Sequence, residues 1–148
     1  MFVVDTNVLI DAANDQSPHH KQCRALLEGW RAQPAAWFLT WGICYEFLRA
    51  CTSRHVLRPA WTANQAWSFL EPLLASRALG ILVPTDRHPA VLADVLQRMP
   101  SLAGTIIHDV HTAVLMREHG LKRIYTRDTD FHRFAFLEPA DPTREGGA

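Results

Sequence analysis

The sequence has no excess charge of either sign. Lysine and arginine together number 15, as do aspartate and glutamate, so the formal net charge is zero. No bulk field therefore draws the chain to nucleic acid or membrane, and any polyanion it binds must be gripped by a local patch. Cysteine is scarce: Cys23, Cys44 and Cys51 make no C-x-x-C pair, and their odd number suits reducing surroundings better than a disulfide framework. Cys44 and Cys51 share one helical face, the pattern of core packing. Long hydrophobic runs are missing as well. No stretch reaches the roughly 18 apolar residues of a membrane span, and the N-terminus lacks a basic region followed by an apolar core. These absences point to the cytoplasm. Repeats and low-complexity tracts are absent too, and nothing divides the 148 residues into two cores. The expectation is one domain, residues 1–138, burying roughly two-thirds of its unfolded surface. A flexible, proline- and glycine-rich tail, residues 139–148, should follow it.

What is present is an alternation of short apolar runs with helical periodicity. Phe2, Val3 and Val4 read as a buried strand ending at the polar trio Asp5-Thr6-Asn7, with a short helix over residues 8–13 behind it. Ser17-Pro18 resembles a cap and first helical position, opening a helix over residues 18–31 with Cys23, Leu26, Leu27 and Trp30 inward. A strand over residues 36–40 leads to a helix over 42–54, and a tryptophan-rich helix over 62–76 contains Pro72, which predicts a kink or early break. A strand over 81–83 and helices over 89–98 and 107–119 follow. Gly120 closes the second of these helices. A strand over 122–126, a turn or short helix at Phe131-His132-Arg133-Phe134 and an edge strand over 135–138 complete the reading. Strand and helix in alternation predict an α/β fold with a mainly parallel sheet.

In open α/β sheets ligands bind at the carboxyl ends of the strands, and four acids fall at that edge. Asp5 ends the first strand, Glu46 lies a turn inside the helix after the second, Asp109 starts a helix and Asp128 follows the fourth strand. A helix of about ten residues descends about 15 Å and a five-residue strand climbs back about 16 Å, so Asp109 and Asp128 return to one end of the domain. Carboxylates crowded together raise one another's pKa, a penalty that a divalent cation removes. An all-oxygen site favours Mg²⁺ or Mn²⁺ over zinc. Such an ion lowers the pKa of a water and stabilises charge on a phosphoryl oxygen, which points to hydrolysis of a phosphodiester.

Read together, Asp5-Thr6-Asn7-Val8-Leu9-Ile10-Asp11, Glu46 in Cys44-Tyr45-Glu46-Phe47-Leu48-Arg49, His108-Asp109-Val110-His111-Thr112-Ala113 with Glu118-His119-Gly120, and Tyr125-Thr126-Arg127-Asp128-Thr129-Asp130-Phe131 resemble the PIN domain, and specifically the VapC toxins of bacterial toxin–antitoxin modules. The resemblance spans residues 2 to 137. It implies a three-layer sandwich, a PIN-like parallel sheet flanked by helices, and a Mg²⁺-dependent ribonuclease, with Mn²⁺ as a substitute, that a cognate antitoxin silences. A homodimer is implied as well. Asp5, Glu46, Asp109 and Asp128 match the family's acidic quartet: Asp5 and Asp109 as metal ligands, Glu46 and Asp128 through water, with Asp130 a further acidic position. Thr6, Asn7 and Thr126 match supporting polar positions. The stretch 61–76 matches no motif of the family.

Each of these residues has a simpler reading. Asp5, Asp109 and Asp128 are well suited to capping helices or turns, which is compatible with holding a metal. Asp11, Asp86, Asp94 and Glu118 read as surface residues, and His111 as packing or lining the cleft. His108 and His111 lack the H-E-x-x-H spacing of a zinc site. Arg49, Arg54, Lys122, Arg127 and Arg133 are candidates for phosphate contacts, with Arg49, Arg127 and Arg133 foremost. Trp41 and Phe131 are candidates for base stacking, although core packing accounts for both. Two alternatives remain at this stage. One is an inactive PIN-like module that binds RNA or a protein partner. The other is phosphoryl transfer through Asp5 as nucleophile, a chemistry that wants a second aspartate where Asn7 stands.

Overall fold

Val3 and Val4 are fully buried, and this sets the architecture. A strand covered on both faces belongs in the middle of a sheet. β1 (Phe2–Val4) indeed lies third in a five-stranded, wholly parallel sheet ordered β3-β2-β1-β4-β5. The computed structural model describes residues 1–144. Its other strands are β2 (Trp37–Thr40), β3 (Leu79–Leu82), β4 (Arg123–Tyr125) and β5 (Glu138–Ala140). The helices are α1 (Thr6–Ala13), α2 (His20–Ala32), α3 (Trp41–Cys51), α4 (Ala63–Leu74), α5 (His88–Arg98) and α6 (Ile106–Glu118), and a single 3-10 turn spans Thr129–Arg133. Parallel neighbours need crossovers, and the helices supply them. The chain builds outward from β1 through β2 to β3, then returns to place β4 on the other side of β1. The order therefore reverses between β1 and β4, the position where an open α/β sheet parts to admit a ligand.

Local chemistry explains where the helices begin. Asp5 caps α1 through Oδ1, which accepts from the Thr6 amide at 2.8 Å. Thr40, the last residue of β2, caps α3 by accepting from the Ile43 amide at 3.0 Å. Thr62 and Gln65 form a reciprocal capping box at the start of α4. Gly120, at φ 70°, ends α6 in the left-handed conformation that glycine adopts without strain. Much of α6 is buried, including Val110, Ala113, Val114, Leu115 and Met116. Cys23, Cys44 and Cys51 are all buried in the core, and burial pushes their thiols up to about 11, 11 and 12. No described helix is long and apolar enough to cross a membrane.

Several expectations shift. α2 starts at His20 rather than at residue 18, because Ser17 bonds forward to the His19 amide and keeps that turn outside the helix. α3 stops at Cys51, short of residue 54. Pro72 does not end α4, since the helix runs two residues further to Leu74. β3 begins at Leu79, and Gly80 pairs with Phe38 inside it. The last strand is Glu138–Ala140, not 135–138. The apolar run before it serves burial: Phe134 and Leu137 pack in the core from a tight turn. The strand takes up the first two residues of the expected tail, and residues 145–148 of that tail lie outside the described residues.

Two acids expected at the surface are buried. Asp11 accepts from Ser17 Oγ at 2.7 Å and from Arg127 Nη1 at 2.6 Å, tying α1 to the loop after β4. Glu118 has no exposed side-chain surface; it accepts from the Thr85 amide (2.9 Å) and hydroxyl (2.7 Å) and meets His88 Nδ1 at 2.5 Å. Arg87 donates to its carbonyl. Burial alone would raise the Glu118 pKa, but the hydrogen bonds from Thr85 and His88 outweigh it and leave it lowered. Glu118→Ala should strip three partners at once and cost about 3 kcal/mol, read as a fall in the denaturant midpoint. Asp86 is exposed as expected. Asp94 is half-buried and pairs with Arg117 at 2.7 Å and Arg98 at 3.0 Å.

Candidate active site

Three strands end in residues that point chemistry at the same edge. Asp5 leaves β1, Thr40 passes β2 into α3 where Glu46 lies on the second turn, and Thr126 leads β4 toward Asp128. Asp109 enters from the first turn of α6, where the helix dipole favours a carboxylate. Asp5, Glu46, Asp109, Asp128 and Asp130 all line one cleft of about 670 Å³. Its remaining walls are Gly42, Ile43, Tyr45 and Arg49 from α3, and Thr105, His108, His111 and Thr112 from or beside α6.

Hydrogen bonds fix the acids closely. Both Asp5 oxygens are engaged: Oδ1 by the Thr6 amide, Oδ2 by Thr126 Oγ1 at 2.7 Å and Asn7 Nδ2 at 2.9 Å. The Thr126 hydroxyl also accepts from Asn7 Nδ2 at 3.1 Å and from the Asp128 amide at 2.9 Å. Asn7 Oδ1 accepts from the Arg127 amide at 3.1 Å. One network thus ties β1 and α1 to the loop that carries Asp128, across the point where the strand order reverses. Asp128 Oδ1 in turn accepts from the Asp130 amide at 2.8 Å. The Thr6 hydroxyl donates to Glu46 Oε2 at 3.2 Å, and Arg49 Nη2 stands 4.0 Å from Glu46 Oε1.

The electrostatics follow from this crowding. Burial pushes the Asp5 pKa up to about 6, with hydrogen bonds from Thr126 and Thr6 pulling the other way and Glu46 and Asp128 adding repulsion. Asp109 rises to about 7, first through burial and then through the charges of Asp5, Asp128, Glu46 and Asp130. Burial and mutual repulsion thus hold both carboxyls well above the ordinary carboxylate range. Carboxylate oxygens of Asp109, Asp128 and Asp130 approach within 4.8 Å of one another, a spacing that one cation can span. The donors are all oxygen, which suits a hard divalent ion. With three hydrogen bonds on its two oxygens, Asp5 keeps about one lone pair for a ligand.

Other expected residues are placed differently. Arg127 is turned to Asp11 and does not line the cleft; Arg133 reaches Ser101 Oγ at 3.5 Å and is outside it as well. Lys122 precedes the start of β4 and so stands at the opposite edge from the acids. Arg49 alone of the three foremost arginines is on the cleft wall. Phe131 is fully buried and cannot meet a base, whereas Trp41 is 46% exposed but outside the cleft lining. His111 lines the cleft, its pKa lowered by burial and by neighbouring His88, whose ring lies 6.2 Å away. A side chain at Gly42 would come within 2.9 Å of the His111 ring, so glycine there makes room for the histidine. Tyr45, Thr105 and Thr112 were not singled out by the sequence. Tyr45 carried one signal, its position beside Glu46 and four residues before Arg49.

A parallel α/β sheet with carboxylates clustered at its switch point defines a class of α/β protein whose all-oxygen site can accommodate a divalent cation. Comparison with known proteins makes this particular. The PIN domain family model matches residues 2–137, and the chain belongs to the PIN domain family. It is 32% identical to Ribonuclease VapC37 of Mycobacterium tuberculosis over 137 residues, covering 90% of this chain and 92% of the relative. Ribonuclease VapC48 of the same species is 26% identical over 138 residues, 93% of this chain and 94% of the relative. Among solved structures, Mycobacterium tuberculosis VapC20, described as a Sarcin-Ricin loop cleaving toxin, aligns with TM-score 0.66 at 20% identity over 93% of this chain and 98% of that one. VapBC2 from Rickettsia felis, bound to a promoter DNA fragment, aligns with TM-score 0.65 at 15% identity over 94% and 96%.

Proposed function

We propose that this chain is a metal-dependent endoribonuclease and the toxin of a VapBC-type pair. The observation that carries the reading is the five-acid cleft at the β1/β4 switch point, with Asp5 and Asp109 held at raised pKa by burial and by the neighbouring carboxylates. A pure binding module gains nothing from that repulsion. Mg²⁺ is the proposed ion, with Mn²⁺ as substitute, and Asp5, Asp109, Asp128 and Asp130 as the residues that hold it, directly or through water. When bound, the ion would neutralise charge on the phosphoryl oxygens and make water a better nucleophile.

The chain's own groups do the rest. Thr6, Asn7 and Thr126 lock Asp5 in one orientation, so its free lone pair faces the cleft without a reorganisation cost. Glu46, exposed and steered by the Thr6 hydroxyl, accepts a proton from the attacking water. Attack at phosphorus then breaks one P–O bond; the leaving oxygen takes a proton from solvent, so one RNA fragment keeps the phosphate and the other ends in a hydroxyl. Arg49 on the wall holds a neighbouring phosphate.

A cognate antitoxin, a homodimeric state and a cytoplasmic location complete the proposal. The antitoxin is supported by the VapBC complexes among structures of the same fold and by the VapC relatives; the homodimer and the location rest on what membership of the family implies. Total RNA incubated with the protein should be cut in Mg²⁺ and left intact in EDTA, and Asp5→Ala should cut at least about a hundredfold more slowly. Equal cleavage with and without chelator would refute the metal assignment.

A further inference from the structure

The cleft that is proposed to cut RNA is badly suited to attract it. Five carboxylates line it against a single guanidinium, Arg49. Even one divalent ion leaves this wall net negative, and the chain as a whole has zero formal charge to offer as a distant attraction. Contacts to phosphate, limited to Arg49, therefore cannot carry most of the RNA affinity here.

One residue on the cleft wall has the chemistry. Tyr45 is 70% exposed, the most open large ring in the described chain, and it sits beside Glu46 and one helical turn before Arg49. Residues four apart on a helix share a face, so the Tyr45 ring and the Arg49 guanidinium stand in line on α3 with the Glu46 carboxylate next to them. An exposed tyrosine ring stacks on any unpaired base, while a paired base keeps its faces covered.

We infer that Tyr45 is a substrate-binding residue that stacks on an unpaired nucleotide next to the scissile phosphate, with Arg49 holding the adjoining phosphate, so that the enzyme selects single-stranded or looped RNA by stacking rather than by charge. This rests on the ribonuclease reading of the cleft. Two consequences separate it from ordinary electrostatic capture. Affinity depends weakly on salt, because about one phosphate is neutralised: the slope of log K against log salt is about −0.7. Affinity also depends on an aromatic face at position 45.

The probe is a randomised, fluorescein-labelled single-stranded RNA 12-mer, followed by anisotropy in Ca²⁺ in place of Mg²⁺ to suppress turnover, with a duplex of the same length beside it. The parent protein should bind the single strands with the shallow slope and the duplex more weakly. Tyr45→Ala and Tyr45→Leu should weaken binding roughly tenfold to a hundredfold, and Tyr45→Phe should stay within about twofold. Melting temperature and Mn²⁺ affinity should not change, since the ring is exposed and makes no part of the acid network. The inference is overturned if Tyr45→Ala binds within about twofold of the parent, if the slope is steeper than about −3, or if the parent does not bind the pool. Cleavage of total RNA in Mg²⁺, run in parallel, keeps the two readings apart. A parent that cuts while Tyr45→Ala cuts with unchanged KM sinks the stacking surface alone. A parent that never cuts, yet loses affinity with Tyr45→Ala, sinks the nuclease reading and leaves the stacking surface standing.

Discussion

Asp109→Asn should abolish function and strengthen the fold at the same time. Cleavage of RNA falls by roughly a hundred- to a thousandfold, since a charged oxygen of the cation site is gone. The metal-free variant nevertheless unfolds later than the parent at pH 7.5. Asp109 in the free protein is squeezed by burial and by the charges of Asp5, Asp128, Glu46 and Asp130, which push its pKa up to about 7. The amide keeps the shape and removes the charge. Because Asp109 is only half-buried, solvent screening trims the gain to the order of 1 kcal/mol. Thermal melts in EDTA and cleavage rates in Mg²⁺, measured on the same preparations, should move in opposite directions. A variant both inactive and less stable would mean that Asp109 is a structural cap rather than a member of the cation site.

The metal-free parent should lose stability as pH rises from about 4 to about 7, the reverse of the usual behaviour of paired carboxylates. Asp5 and Asp109 have folded-state pKa values of about 6 and about 7 against an ordinary 3.8. In that window the unfolded chain has released these protons and the folded chain still holds them, so raising pH favours unfolding. His111 works the other way: its lowered pKa makes the folded state the less protonated one near pH 6, an opposing contribution from one group against two. The acids whose pKa is lowered, Glu118, Asp94 and Asp141, lose their contribution only at lower pH still. Between pH 5 and pH 7.5 the melting temperature in EDTA should therefore fall. Saturating Mn²⁺ should raise it at pH 7.5 by several degrees and far less at pH 5, since protonated carboxyls bind metal poorly. A melting temperature indifferent to both pH and Mn²⁺ would remove the electrostatic case for the site.

Much of this was legible from residue order alone. Asp5, Glu46, Asp109 and Asp128 could be placed at one edge because strand and helix periods fix which end of an element each residue occupies. The fates of Asp11 and Glu118 could not be read in that way. Each looks like a surface acid in its own helix, and each is buried because a partner arrives from far along the chain: Arg127 for Asp11, and Thr85 with His88 for Glu118. Local pattern carries no information about such meetings. Arg127 is a case of the same kind, since a cation beside a catalytic-looking aspartate resembles a phosphate contact until its own carboxylate, Asp11, is known. The edge strand lies later than its apolar run because Leu137 is buried from a turn, and the ladder starts only at Glu138.

The Asp5–Thr126 hydrogen bond joins residues 121 positions apart. During synthesis Asp5 and Glu46 emerge early, but the loop that orients Asp5 and contributes Asp128 is nearly the last part of the domain to be made. A parallel strand pair with so long a span between its members cannot form ahead of the intervening chain. The growing polypeptide therefore cannot orient Asp5 against Thr126, or bring Asp128 beside it, until the loop after β4 has been made.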